Sequence, residues 1–68
     1  MKEWILLLKT TNPAEASIVQ GMLEENSIPV QILNKRDSSY LNFGDIEVYV
    51  PTTLRDVAKA LLDKGLLN

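Results

Sequence analysis

Apolar residues recur along this chain with two different spacings, and each spacing predicts a type of element. The run from Trp4 to Leu8 is apolar at every position and leads into turn-forming residues, which predicts a first strand over residues 4–10. After the turn, apolar residues recur with helical spacing and predict a first helix with one apolar stripe. Ala16 lies at the edge of this stripe. The stripe comprises Ile18, Val19, Met22 and Leu23.

Start and stop signals frame this first helix. Asn12 is a favourable N-cap, Pro13 suits the first helical position, and Glu15 has the spacing of a capping box. The helix must end before Pro29, which cannot continue it. Gly21 costs roughly 1 kcal/mol relative to alanine inside a helix. We interpret it either as a position without a specific role or a tight spot near a neighbouring loop, or as a point where another backbone approaches closely.

Alternation of apolar and polar residues predicts two further strands, over residues 30–34 and 46–50. Leu33 in the first of these strands faces away from the core together with Gln31. Tyr49 in the second faces the same way, together with Glu47. The inward positions of both strands are β-branched, so one face of the sheet is expected to lie under helices.

A second amphipathic helix is predicted after Pro51, with Thr52 or Thr53 as its cap. Its apolar stripe comprises Leu54, Val57, Ala58, Leu61 and Leu62. The order β-α-β-β-α, with right-handed crossovers, predicts an α+β fold of the ferredoxin-like split β-α-β type. Two helices then cover one face of a three-stranded antiparallel sheet. The fourth strand of that plan is missing or a stub, and residues 1–68 form a single domain.

Without a fourth strand, the first strand becomes an exposed edge. Regular alternation sends Trp4, Leu6 and Leu8 to one side and Ile5 and Leu7 to the other. Both sets are apolar, and an exposed apolar edge is a template for association. We therefore predict a homodimer in which a second copy covers this edge or the open sheet face. The predicted self-association surface comprises Trp4, Ile5, Leu7, Leu33 and Tyr49.

The segment from Lys35 to Asp45 is long for a hairpin loop. It contains the only adjacent basic pair, Lys35-Arg36, and two of the four aromatic residues, Tyr40 and Phe43. Two interpretations stay open. Its apolar residues could simply cover the open sheet face. Alternatively it is an interaction loop in which the basic pair meets a carboxylate or phosphate of a partner.

Composition narrows the classes of function. The 68 residues include no cysteine and no histidine, which removes disulfides, thiolate metal ligands and the commonest general base. The net charge of -2 lacks the basic excess of a nucleic-acid binder, and the apolar runs are too short to span a membrane. The sequence thus predicts a cytoplasmic protein that is not an enzyme, binds no cofactor or metal, and has neither nucleic acid nor membrane as a partner.

Four motifs spread over nearly the whole chain resemble one known family. They are Asn12-Pro13-x-Glu15-Ala16, Gly21-Met22-Leu23-Glu24, Ile28-Pro29-Val30 and Ile46-x-Val48-x-Val50-Pro51. They are similar to the small "putative prokaryotic signal-transducing protein" family, which is grouped with PII-like ferredoxin folds. That family often has glycine before the isoleucine-proline step, where this chain has Ser27. The resemblance implies a signalling or protein-interaction module and supplies no catalytic residues.

Two other functions are weighed against this one. A regulatory domain for a nucleotide or amino acid could use the turn Thr10-Thr11-Asn12, where free helix amides favour an anion, although the same residues also cap the helix. RNA binding on the open face through Trp4 and Tyr49 is opposed by Glu47 on that face and by the negative charge. We therefore expect a signalling or interaction module whose protein partner the sequence does not identify.

Overall fold

The computed structural model of the protein describes residues 3–35 and 45–66. Its elements are β1 (Trp4–Thr10), α1 (Pro13–Glu25), β2 (Gln31–Lys35), β3 (Asp45–Pro51), a 3-10 turn (Thr52–Leu54) and α2 (Arg55–Leu66). The predicted α+β class, the order β-α-β-β-α and the ferredoxin-like arrangement are confirmed. Thr52 and Thr53, predicted as caps of the second helix, lie in the 3-10 turn that carries the chain from β3 into α2, and α2 begins at Arg55.

The three strands form one antiparallel sheet in the order β1-β3-β2. Within the described residues β3 is therefore central, and β1 and β2 are its two edges. The inward residues of β3 are Ile46, Val48 and Val50, which are buried against the helices. The fully buried centre combines these strand residues with helical and linking residues: Val19, Leu23, Ile28, Val48, Val50 and Ala58.

A β-bulge at Leu7 changes which side chains of β1 face the helices. Leu6 pairs with Tyr49, but the next pair along the ladder joins Leu8 to Val48. Leu7 and Leu8 therefore both pack against the core, whereas regular alternation would send them to opposite faces. The predicted orientation of Leu8 is wrong. A run that is apolar at every position contains no signal for an extra residue, because either register buries leucine.

Both helices contact the sheet through narrower stripes than predicted. The buried face of α1 is Ala16, Val19 and Leu23, while Ile18 is 59% exposed. Ala16 lies one turn before Val19, and its small side chain lets the helix rest on this face. On α2, Val57 is 51% exposed. This helix packs on β1, which is an edge of the described sheet, so its outer flank has no strand beneath it. Ile18 and Val57 were both predicted to be core residues.

The end of α1 forms a Schellman motif. The N–H of Ile28 donates to the carbonyl of Leu23 at 2.9 Å, and the N–H of Ser27 donates to that of Glu24 at 3.0 Å. Ser27 has φ 63, a left-handed conformation that favours glycine. Gly21, by contrast, has open space around it, since a Cβ there would meet nothing within 4 Å. The interpretation of Gly21 as a close backbone approach is therefore wrong for the described residues.

We predict that Ser27→Gly stabilises the domain. A non-glycine residue in the left-handed region costs about 1–2 kcal/mol, and glycine removes this cost. The greater freedom of glycine in the unfolded chain offsets about 0.4–1 kcal/mol of the stability gained. The net gain should be about 0.5–1 kcal/mol, measured by chemical denaturation. Ser17→Gly, the same substitution inside α1, is the matched control and should lose about 0.5 kcal/mol. Equal losses at both positions would contradict the assigned conformation of Ser27.

Candidate interaction surfaces

The sheet face that points away from both helices carries an apolar strip across all three strands. We call this strip the open face, and it comprises Trp4, Leu6, Leu33, Tyr49 and Pro51. Trp4 lies opposite Pro51 in the β1–β3 ladder, and Leu6 lies opposite Tyr49. Leu6 is 41% exposed and Leu33 36%, and the other three are half-buried. The described helices lie on the opposite side of the sheet, so they leave this strip uncovered.

Polar groups share this side of the sheet with the open face, and Gln31 of β2 lies directly opposite Tyr49. Lys9 of β1 lies opposite Glu47 of β3, and Leu33 of β2 lies opposite the same glutamate. The phenol of Tyr49 donates a hydrogen bond of 3.0 Å to Oε1 of Glu47. This bond, partial desolvation and the negative charge of Glu47 all raise the pKa of Tyr49 above its ordinary value of 10.0. The face thus combines an apolar centre with a small border that contains both signs of charge.

The structure divides the predicted self-association residues between two sides of the sheet. Trp4, Leu33 and Tyr49 lie on the open face. Ile5 lies opposite the buried Val50, and both Ile5 and Leu7 pack against the core on the helix side. These two residues remain part of the β1 edge, but their side chains are not on the open face. The bulge is the reason that Leu7 shares the core with Leu8.

Two residues of the open face were absent from the predicted set. Leu6 shares its parity with Trp4, so alternation along β1 could have included it. Pro51 was interpreted as the exit from the third strand, whereas β3 extends through it and pairs it with Trp4. Proline at the end of a strand has no N–H to donate, which suits this terminal position.

The predicted interaction loop lies almost entirely outside the described residues. Lys35 is the last residue of β2, and its backbone pairs with Asp45 at the start of β3. Arg36, Tyr40 and Phe43 fall in the range 36–44, outside the described residues. The assignment of Lys35, Arg36, Tyr40 and Phe43 to a partner contact therefore stays a prediction.

A second surface lies on the helix side of the sheet, where α1 meets β2. It is a groove with a volume of about 460 Å³. The described residues that line it are Pro13, Ala16, Ser17, Gln20, Ile32, Asn34 and Ile46. None of these carries a charge. Ile32 is half-buried and Asn34 is exposed, because α1 packs on β3 and β1 and leaves this part of β2 uncovered. We call this surface the α1–β2 groove.

Sequence reasoning missed the α1–β2 groove. Helical spacing places Ser17 and Gln20 opposite the apolar stripe of α1, on the side expected to face solvent, and alternation along β2 places Ile32 in the core. In the structure Ser17 and Gln20 stand beside Ile32 at the uncovered margin of the sheet. Gln20 also donates a long hydrogen bond of 3.4 Å from Nε2 to Oε2 of Glu24. Only the position of the helix over the sheet reveals the groove, and no sequence spacing encodes that position directly.

The backbone N–H groups at the start of α1 already donate hydrogen bonds to the capping residue. Asn12 accepts the N–H of Ala14 through Oδ1 at 2.9 Å, and its backbone carbonyl accepts the N–H groups of Glu15 and Ala16. The predicted capping box is replaced by a relay. The N–H of Asn12 donates to Oγ1 of Thr10, and that hydroxyl donates to Oε1 of Glu15 at 2.7 Å. The carboxylate of Glu15 and the filled amides oppose an anionic ligand here.

The described residues contain no group of three carboxylate, histidine or cysteine side chains placed to hold a metal ion. Within residues 3–35 and 45–66, neither helix has the length and apolar character needed to cross a membrane.

Comparison with known proteins identifies a family. The model of the family described as "putative prokaryotic signal transducing protein" matches residues 4–65. The chain belongs to this family. The match begins with β1 and reaches into the last turn of α2, so the whole described fold is the family domain. Neither the curated proteins nor the solved structures provide a match.

We predict that the hydrogen bond to Glu47 can be detected by titrating Tyr49. In a Tyr40→Phe background Tyr49 is the only tyrosine, and its ionisation can be followed by absorbance at 295 nm. The midpoint should lie above 10.0, because the bond and the nearby charge favour the protonated phenol. Glu47→Gln removes the negative charge and should lower the midpoint. A midpoint that Glu47→Gln leaves unchanged would contradict the contact.

Proposed function

We propose that this domain is a signalling module that acts by binding rather than by catalysis, and that it self-associates through the open face. The observation that carries the proposal is the apolar strip that crosses all three strands and lies uncovered by either helix. Contiguous apolar surface of this kind on a soluble domain marks an interaction site. The family description supports a signalling role and names no reaction.

The size of the domain supports a second copy as the occupant. A chain of 68 residues buries a small core, and domains of this size gain stability from association when they lack disulfides or metals. The protein has no cysteine. A dimer that covers Trp4, Leu6 and Tyr49 would remove apolar surface from water. The hydrophobic free energy of this removal is about 25 cal/mol per Å². The open face, which is exposed in a single copy, would then be packed between the two copies of a dimer.

The bulge favours face packing over edge pairing. Pairing of two β1 edges needs an uninterrupted row of backbone groups, and the register shift between Leu6 and Leu8 interrupts that row. Bulges in edge strands are a common protection against such pairing. The open face has no comparable obstacle. We therefore assign the contact to the open face rather than to the free edge of β1.

The charges that border the open face are compatible with two-fold symmetry. Lys9 and Glu47 lie opposite each other in the β1–β3 ladder. In a two-fold contact the same patch meets itself, so residues of one copy can face different residues of the other. Lys9 and Glu47 of one copy can therefore meet opposite charges of the other copy across the interface. A face with charges of one sign would instead repel its copy.

The alternative of a nucleotide or amino-acid regulatory domain has weaker support. The α1–β2 groove has the size of many ligand pockets, which is about 300–1,000 Å³. However, its described lining has no charge to meet a phosphate, carboxylate or ammonium group. The capped start of α1 offers no free amides to an anion. The interaction loop that contains Lys35, Arg36, Tyr40 and Phe43 remains part of the proposal, on sequence grounds alone, as a contact to a protein partner.

We predict that Leu6→Glu strongly weakens self-association. The substitution buries a carboxylate in the proposed interface without a partner, and it should raise the dimer dissociation constant by about tenfold or more. Sedimentation velocity over a range from low to high micromolar concentration measures this constant. The wild type should sediment as a dimer at the upper end of the range.

Ile18→Glu is the matched control for this experiment. Ile18 is a more exposed aliphatic residue than Leu6, and it lies on α1, on the other side of the sheet. This variant should dimerise like the wild type, and circular dichroism should show that both variants remain folded. A wild type that stays monomeric at high micromolar concentration would refute the proposal. Equal effects of the two substitutions would refute the assignment to the open face.

A further inference from the structure

The two edges of the sheet differ in their suitability for pairing with another strand. β1 contains the bulge at Leu7, whereas β2 pairs with β3 in an unbroken register of five residues, from Gln31 to Lys35. β2 has a paired neighbour on one side only in the described sheet. Alternate backbone groups along a regular edge strand point outward and can bind another extended chain. The β2 edge is therefore the better template for strand addition.

The α1–β2 groove lies beside this edge, on the helix side of the sheet. Ile32 and Asn34 of β2 point to this side, and Ser17 and Gln20 of α1 stand next to them. A strand added beside β2 would direct every second side chain to the same side, into the groove. The backbone edge and the groove are therefore parts of one continuous surface. Such a combination is how domains bind peptides by strand addition, with main-chain hydrogen bonds for affinity and pockets for alternate side chains.

We propose that β2 and the α1–β2 groove bind an extended peptide segment of a partner protein, with uncharged apolar side chains at the alternate positions that enter the groove. The electrostatics of the groove select this chemistry. Its described lining combines apolar residues with hydroxyl and amide groups and includes no charge. A charged side chain would lose its hydration there without a counter-ion, whereas an apolar side chain would pack on Ala16, Ile32 and Ile46.

The choice of a different chain as the occupant rests on the proposed self-association through the open face. If two copies already meet through that face, a further two-fold contact at β2 would link dimers into a larger assembly, either a closed tetramer or an open-ended array. A bound peptide segment would instead add one strand to the sheet without linking further copies of the domain. The added strand would also place its other side chains beside Leu33, which extends the apolar strip of the open face.

Selection from a phage-displayed library of random linear dodecapeptides against the folded 68-residue chain tests this inference. The expected peptides carry uncharged apolar residues at alternate positions. Synthetic copies of them should bind in fluorescence anisotropy. N-methylation of single backbone amides should weaken binding tenfold or more at every second position and little at the positions between. That period of two is the signature of strand addition and is not produced by a helical peptide.

Two variants distinguish this inference from the proposed self-association. Ser17→Glu adds a charge to the groove and should weaken peptide binding at least tenfold while leaving the dimer intact. Leu6→Glu should dissociate the dimer and retain peptide binding. Ile18→Glu, at a neighbouring position that does not line the groove, should affect neither. A wild type that binds peptide but stays monomeric refutes only the proposed self-association, and a wild type that dimerises but binds no peptide refutes only strand addition.

Several outcomes would overturn the inference. Selected peptides without the alternating pattern, binding that is insensitive to N-methylation, or unchanged binding by Ser17→Glu would each exclude strand addition at this site. Failure of the library to yield any binder would count against it in the same way. If Ser17→Glu dissociates the dimer, a second copy occupies the groove. If binding requires replacement of residues 37–43 by a glycine-serine linker, the occupant is the protein's own segment and not a partner.

Discussion

The pairing of β3 on both of its sides is the constraint on which the rest of the structure depends. Its inward residues, Val48 and Val50, are fully buried, and they hold both helices against one side of the sheet. Its outward residues alternate with these, so Glu47 and Tyr49 are necessarily on the other side. One strand therefore determines at once where the core lies and which surface is left uncovered. The two candidate surfaces follow from this arrangement, one on each side of the sheet.

The architecture could be predicted because its signals are local. Asn12 and Pro13 begin α1, Pro29 limits it, and strict alternation identifies β3. Features that depend on three-dimensional packing could not be predicted. The bulge at Leu7 has no signal because every neighbouring residue is apolar. The exposure of Ile18 follows from how α1 lies on a narrow sheet, since helical spacing permits several rotations of the same stripe.

The candidate surfaces were predictable to different degrees. Leu33 and Tyr49 could be assigned to the open face because alternation in their strands separates inward from outward residues. Trp4 could not, because β1 is apolar on both sides and only the observed register shows which side is open. Ile5 and Leu7 required the observed register, which places them against the core. The α1–β2 groove required the position of α1 over the sheet. Its lining includes Ser17, a polar residue that helical spacing assigns to the solvent side of α1 without further distinction.

If a second copy covers the open face, the single tryptophan reports on that contact directly. Trp4 lies on that face, opposite Pro51 in the β1–β3 ladder, and is half-buried. The measurement is acrylamide quenching of its fluorescence across a range from nanomolar to high micromolar protein. As the protein concentration rises and dimers form through this face, the emission of Trp4 should shift to shorter wavelength and its quenching should decrease. Emission and quenching that stay constant over the whole range would contradict this contact, because the face would then remain open to solvent.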